Sequence, residues 1–456
     1  MKKRTTLDFS EGPIFRKILM FAIPMMLNSL VQNLYSTADT VMVGQFVGNN
    51  AMAAVGASGQ PLTLLVNLFA GLALGVTVVC GNLKGARKQR ELNECMQTSV
   101  LLGALVGAAI MLIGIPLTRP LLVSMETPAE ILEDAVLYMA IRLAAGIPWL
   151  MGAFLANIFY AYGETRMPMI VSIISGFINV AFNALFLIVL DMGVEGVALA
   201  TALSQVFNVV AYMIALYNPK GEYKLRLKEL KIRMEYTVQI LRLGIPASLN
   251  NIVFSISNVL LQSAVNSFGA VVVAGNTAAD NIISYVSLAM TNFAAASLTA
   301  TSQCFGARKF RRIDQITIRS TVGSVVMVTV TALLATIFAR PMMELFVNKA
   351  EDNWAEVVEK GFPKMMFTCW GYIIFSFAQV FVAVLKGVRK TTLALFCNLG
   401  GVIVPRLIWV WFVIPKMHTT TMLYAIYPIS WLISSVILLY ALLHCRKKLL
   451  LELEPE

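Results

Sequence analysis

"ILMFAIPMMLNSLVQNLYSTADTVMV", residues 18–43, is an almost unbroken apolar run of 26 residues. About 20 such residues in a helix cross the hydrocarbon core of a bilayer. The run has company. Twelve segments of comparable length and apolarity follow one another, at 17–43, 51–80, 94–116, 131–162, 168–190, 195–217, 237–266, 271–304, 315–338, 356–385, 392–414 and 421–444. Turn and charge signals such as "LTRP", "NPKG" and "IPKMH" separate them. The spacing predicts an all-α membrane protein with twelve transmembrane helices.

Composition agrees. Of 456 residues, 58% are hydrophobic and 13% charged, whereas soluble domains carry about 25% charged residues. The basic N-terminus has no small-residue cleavage site after it, and its apolar run is too long for a signal peptide. Six cysteines (80, 95, 304, 369, 397, 445) lie in or at the ends of apolar runs without C-x-x-C pairs, as small buried hydrophobes do. The two histidines, His418 and His444, stand near segment ends. The chain therefore reads as neither an enzyme nor a metalloprotein, and no cofactor is expected.

Basic residues set the orientation. Residues 1–17, the loops 81–93, 163–168, 305–314 and 386–391, the linker 218–236 and the tail 445–456 together carry 26 Lys and Arg. The alternate loops carry four: Arg119, Arg340, Lys349 and Lys416. By the positive-inside rule both termini are cytoplasmic. The net charge of +11 follows from topology and does not imply nucleic acid.

The chain also repeats. "IPMMLN" at 23–28 returns as "IPASLN" at 245–250, and "GNLKGARKQREL" at 81–92 as "SQCFGARKFRRI" at 302–313. "YGETR" at 162–166 has a fainter partner in "KGVRK" at 386–390, giving offsets of 222, 221 and 224 residues. Both halves start in the cytoplasm, so the two six-helix repeats are parallel. The expected lobes are 1–217 and 237–444. The basic linker 218–236 joins them, expected as a partly helical segment on anionic headgroups, and the cytoplasmic tail is 445–456.

Polar residues form stripes at helical spacing. Asn28, Gln32, Tyr35 and Asp39 share one face of the first span. So do Ser172, Ser175, Asn179 and Asn183 on the fifth, and Thr201, Gln205 and Asn208 on the sixth. The seventh span carries Asn251, Ser255, Asn258 and Gln262, and the eighth Thr277, Asp280, Ser284 and Ser287. Such stripes glue helices together or line a water-filled cavity. Asn28, Gln32, Tyr35, Gln205, Asn258, Gln262 and Asp280 are the candidate substrate contacts. Asp39, Arg142, Asp280 and Arg406 are ionisable and near mid-span, where charge is costly and usually functional. The arginines are expected to pin helices or snorkel. Asp39 is 22 residues beyond Lys17, about 33 Å of helix, so the outer interface is the bland reading of its position. Pro24, with Pro246 as its counterpart, weakens the first span and is the candidate hinge.

"GPIFRKILMFAIPMMLNSLVQNLYSTADTVMVGQFVGNNAMAAVG", "GIPWLMGAFLANIFYAYGETRMP" and "FINVAFNALFLIVLDMGVEGVALATALSQ" resemble the first, fourth, and fifth and sixth helices of the multidrug and toxic compound extrusion (MATE) transporters. The "GAR" loops and the repeat are similar too, and the likeness covers essentially the whole chain. It implies a V-shaped, two-lobe transporter that alternates its access and expels amphipathic, often cationic, compounds in exchange for H+ or Na+. One branch of that family holds the coupling ion with an Asp, an Asn, a second Asp and a Thr, which fall here on Asp39, Asn179, Asn183 and Thr201. Position 183 departs from that pattern, carrying a carboxamide in place of a carboxylate. Acidic residues that another branch places in the seventh and tenth helices are missing from "IPASLNNIVFSISNVLLQ" and "MMFTCWGYIIFSFAQVF", which leaves Asp280 as the carboxy-terminal candidate. The implied protein is a monomer of the plasma (inner) membrane, partnered by small amphipathic substrates and lipids. A lipid or lipid-linked precursor flippase of the same superfamily is the alternative, and a membrane-embedded transferase the more distant one.

Overall fold

The computed structural model describes residues 6–217, 225, 230–344, 347, 353–417 and 419–451. Most of the linker and the last residues of the tail lie outside the described residues, and with them the expectation of a partly helical linker. Among the described residues there is no strand. Eleven helices are long and apolar enough to span a membrane, and a bent pair brings the number to twelve.

The first half runs α1 (Ile14–Phe46), α2 (Asn49–Gly85), α3 (Gln89–Ser124), α4 (Ala129–Ala144), α5 (Gly146–Ala161), α6 (Arg166–Ala184) and α7 (Val194–Leu216). The second runs α8 (Met234–Asn266), α9 (Ala270–Gly306), α10 (Phe310–Ile337), the short α11 (Ala339–Glu344), α12 (Trp354–Gly387), α13 (Thr391–Asn398), α14 (Val404–Ile408) and α15 (Thr420–Leu451).

Two expected spans are not single straight helices. The segment expected at 131–162 is α4 and α5, bent by 50° at Ala145. Pro148, in the first turn of α5, has no N–H to bond back to residue 144, and its ring crowds that carbonyl. The segment expected at 392–414 is α13 and α14 with π-helical turns at Leu399–Ile403 and Trp409–Val413. Pro405 deletes a donor there and the ladder shifts register around it. A third π turn, Leu185–Val189, closes α6, 224 residues before Trp409–Val413. That is the offset of the faintest sequence repeat.

The backbone repeats more closely than the sequence. Helices α1 and α8 both have 33 residues, and α2 and α9 both have 37. The last two start after Gly48 and Gly269, at φ +116° and +93°, a conformation that favours glycine. Both "GAR" turns close their helix alike. Arg87 and Arg308 take φ +57° and +55°, and Lys88 and Lys309 donate their amides back to Leu83 and Cys304, the six-to-one bond of a Schellman ending.

The chain divides into two compact units, one of Met1–Asp8 and Leu27–Ser248, the other of Phe9–Met26 and Leu249–Glu456. In α1 and in α8 the division falls two residues past a proline, Pro24 and Pro246. Within the first unit, Leu62, Met139, Leu143, Leu150 and Val197 share a core. Gly107 lets α3 and α5 approach until a Cβ there would stand 2.6 Å from the Gly146 carbonyl oxygen. In the second unit, Gly275 and Gly361 do the same for α9 and α12. Close backbone approach through small residues is how helices pack where lipid removes the hydrophobic drive. Large apolar side chains such as Leu112, Phe177, Ile214 and Ile318 point outward and exposed, as a lipid-facing surface requires.

Candidate ion and substrate sites

In the first unit, α1, α6 and α7 bring four side chains into one hydrogen-bonded chain. Asn183 Nδ2 donates to Asp39 Oδ1 at 2.5 Å and to Asn179 Oδ1 at 3.3 Å. Asn179 Nδ2 donates to Thr201 Oγ1 at 3.4 Å, and that hydroxyl donates to the Val197 carbonyl at 3.0 Å. The one-turn spacing of Asn179 and Asn183 stacks their amides on one face of α6. Gly176, one turn earlier, has no side chain because Tyr35 fills the space: a Cβ would meet its ring at 2.6 Å.

Asp39 is half-buried, and Asn183 is its one hydrogen-bond partner among the described residues. No Lys or Arg is within ion-pair distance of it among the described residues, but the Arg142 guanidinium lies near enough to act on it through space. Asn183 presents its N–H to Asp39, the orientation an ionised carboxylate accepts. Its own Oδ1 is buried with no partner, an uncommon and costly state for a carboxamide oxygen. Asp39, Asn183, Asn179 and Thr201 thus carry oxygens of the kind a small hard cation takes, although the two carboxamides here turn N–H groups to Asp39 and Thr201. A proton needs Asp39 alone.

Asn28 and Gln32 continue this polar face. Asn28 donates to the Tyr160 hydroxyl at 3.4 Å, and Gln32 to Ser172 at 3.4 Å. Gln205 stands apart from the chain, accepting from Asn208 at 3.2 Å. Arg142 lies over the Tyr138 ring at 5.9 Å.

The second unit holds the other candidates around one cavity of about 300 Å³, at the small end for a ligand pocket. Asn258, Gln262 and Asp280 all line it. The Ser and Thr members of the α9 stripe do less, since Thr277, Ser284 and Ser287 donate to carbonyls of their own helix. Two cations change the character of this cavity. Lys364 on α12 is buried and pairs with Asp280 at 2.5 Å, so Asp280 is already compensated. Arg406 on α14 does not snorkel. It is 2% exposed and donates to Ser430, Ser257 and Asn258 at 3.3, 2.9 and 3.2 Å. Lys364 is the residue that a reading of the sequence passes over. It stands near the start of its span, beside Pro363, where a lysine ordinarily snorkels.

A family model described as MatE matches residues 24–185 and 246–411. The chain belongs to the MatE family. It is thus an integral membrane transporter and not an enzyme. "Probable multidrug resistance protein YoeA" of Bacillus subtilis is 26% identical over 408 residues, 87% of each chain. "Probable multidrug resistance protein NorM" of Thermotoga maritima is 24% identical over 344 residues, 74% of each chain. Among solved structures, the outward-facing conformation of a multidrug resistance MATE family transporter of the MOP superfamily superposes with a TM-score of 0.89 at 22% identity, over 98% of this chain and 99% of that one. The MatE fold is all-α and two-lobed, as the sequence of this chain predicts.

Proposed function

We propose that this MatE protein is a secondary active antiporter that exports small amphipathic, often cationic compounds in exchange for H+ or Na+, with Asp39 as the coupling residue. The names of the relatives support drug export. The observation that carries the coupling is a contrast between two mid-span carboxylates. Asp280 has its lysine at 2.5 Å, whereas Asp39 has a carboxamide in contact and a basic group, Arg142, only beyond ion-pair distance. An ionised group in that setting is expensive unless something neutralises it, and an incoming cation does so. Asn179, Asn183 and Thr201 hold the carboxylate in register and supply oxygens if the cation is Na+. The proton requires fewer ligands and is the slightly favoured ion.

Neutralisation weakens the charge-assisted bond from Asn183, which ties α1 to α6. The segment of α1 beyond Pro24 is then free to bend, and substrate held along Asn28, Gln32, Tyr35 and Gln205 is expelled. The protein acts as a monomer in the plasma membrane with both termini in the cytoplasm. The test is drug efflux under separately imposed pH and Na+ gradients, comparing wild type with Asp39→Asn. Loss of gradient-driven efflux in a variant that reaches the membrane supports the reading, and wild-type rates with unchanged ion dependence refute it.

A lipid or lipid-linked precursor flippase is the second reading. Lys364 and Arg406, two cations in one cavity, are the observation that favours it. Drug efflux without effect of the protein on lipid translocation in proteoliposomes decides against it.

A further inference from the structure

The cavity of the second unit is charged with the wrong sign for a simple cation site. Its ionised groups among the described residues are Asp280, Lys364 and Arg406, so the lining carries a net charge of +1. Asp280 and Lys364 cancel at 2.5 Å. Arg406 has no carboxylate partner among the described residues. Its Nε and Nη1 are spoken for by Ser430, Ser257 and Asn258, all neutral, while Nη2 has no hydrogen-bond acceptor among the described residues. A buried guanidinium with an uncommitted edge on a cavity lacks its counter-ion, and leaving it so is costly.

The cavity also has an aromatic lining. Trp431 stacks on Phe375 at 4.8 Å and 12°, with Tyr372 and Tyr427 at 5.2 and 5.6 Å from the same indole. Arg406 itself lies over the Tyr427 ring at 5.0 Å. A flat hydrocarbon ring fits such a lining, and the remaining Nη2 can make a charge-assisted hydrogen bond to one carboxylate oxygen.

We propose that this cavity binds amphipathic aromatic anions, with the carboxylate on Arg406 and the ring against Trp431 and Phe375. The proposal goes beyond the transporter reading, which holds exported compounds along the polar face of the first unit: it makes this cavity a separate ligand compartment. It adds that this compartment selects organic anions, whereas Asp39 in the first unit provides the coupling charge. The Asp280–Lys364 pair tunes it, because removing the acid frees a second cation for the ligand.

Binding of three isosteric probes to the purified full-length protein in phosphatidylcholine nanodiscs tests this by calorimetry: 2-naphthoate, neutral 2-naphthamide and cationic 2-naphthylmethylammonium. The expected result is naphthoate binding at least tenfold tighter than either other probe. Arg406→Gln abolishes that preference, and Asp280→Asn tightens naphthoate severalfold. The probe series on wild type requires no variant to fold, so it stands alone as a test. Equal affinity for the three probes, preference for the cation, or a preference that survives in folded Arg406→Gln overturns the proposal. So does a cavity blind to the probes whose cations engage phosphatidylglycerol added to the disc, which would assign it to a lipid phosphate. The assay uses no gradient and no drug transport. Its failure leaves coupling at Asp39 standing, and failure of coupling leaves the anion site standing.

Discussion

Asp39→Asn replaces a mid-span carboxylate that has no contact ion pair among the described residues by a neutral isostere. The amide oxygen of an Asn still accepts from Asn183, so the substitution exchanges a charge-assisted hydrogen bond for a neutral one, about 1 kcal/mol. Such a loss leaves the protein able to fold and to reach the membrane. The effect on transport is far larger. One carboxylate binds one monovalent cation. Exchange of one H+ for one singly charged drug moves no net charge, so the drug gradient is limited to about tenfold per pH unit. For an uncharged drug, a potential of 100 mV contributes about a further 2.3 kcal/mol, roughly fifty-fold. With Asn at position 39 both limits collapse to unity. Everted vesicles with an acid lumen measure this as accumulated ethidium. Steady-state accumulation above the passive level by Asp39→Asn, still responding to the pH gradient, would refute single-site coupling and return Asp39 to an interfacial aspartate.

Asn183→Asp places a second carboxylate beside the first and is expected to strengthen the Na+ dependence of efflux, read as a lower Na+ concentration for half-maximal rate. Asp280→Asn strands the buried Lys364, whereas Lys364→Met leaves Asp280 half in water. The first should therefore destabilise more, by about 3 kcal/mol or above, read in denaturant or thermal unfolding, and the double variant should recover part of the loss. Gly275→Val forces a side chain into the Gly361 and Val357 backbone and is expected to cost about 1–3 kcal/mol in thermal denaturation, with Gly107→Val its counterpart in the first unit. Cysteines introduced at 81–93, 218–236 and 305–314 should resist an impermeant thiol reagent in intact cells, and labelling of the linker from outside would reverse the orientation.

Much of the molecule is local in origin and so legible in the sequence. A span announces itself because a bilayer demands about 20 apolar residues in a row, and a stripe because residues three or four apart share a helix face. The repeat survives in "GAR", where Arg87 and Arg308 hold the same left-handed turn. The grouping of Asp39 with Asn179, Asn183 and Thr201 came from resemblance to a family, and periodicity alone placed each on its own helix. What only the tertiary structure decided are the encounters between helices. Asp280 looks like an isolated charge until α12 brings Lys364 to 2.5 Å, and the two lie 84 residues apart with no local signal linking them. For Arg406 the sequence left pinning and snorkelling both open, and only the fold shows it pinned, buried and bonded to Ser257 and Asn258 on α8 and Ser430 on α15. The charge of a site is a sum over side chains from different helices, and helical periodicity fixes only the angle of each around its own axis.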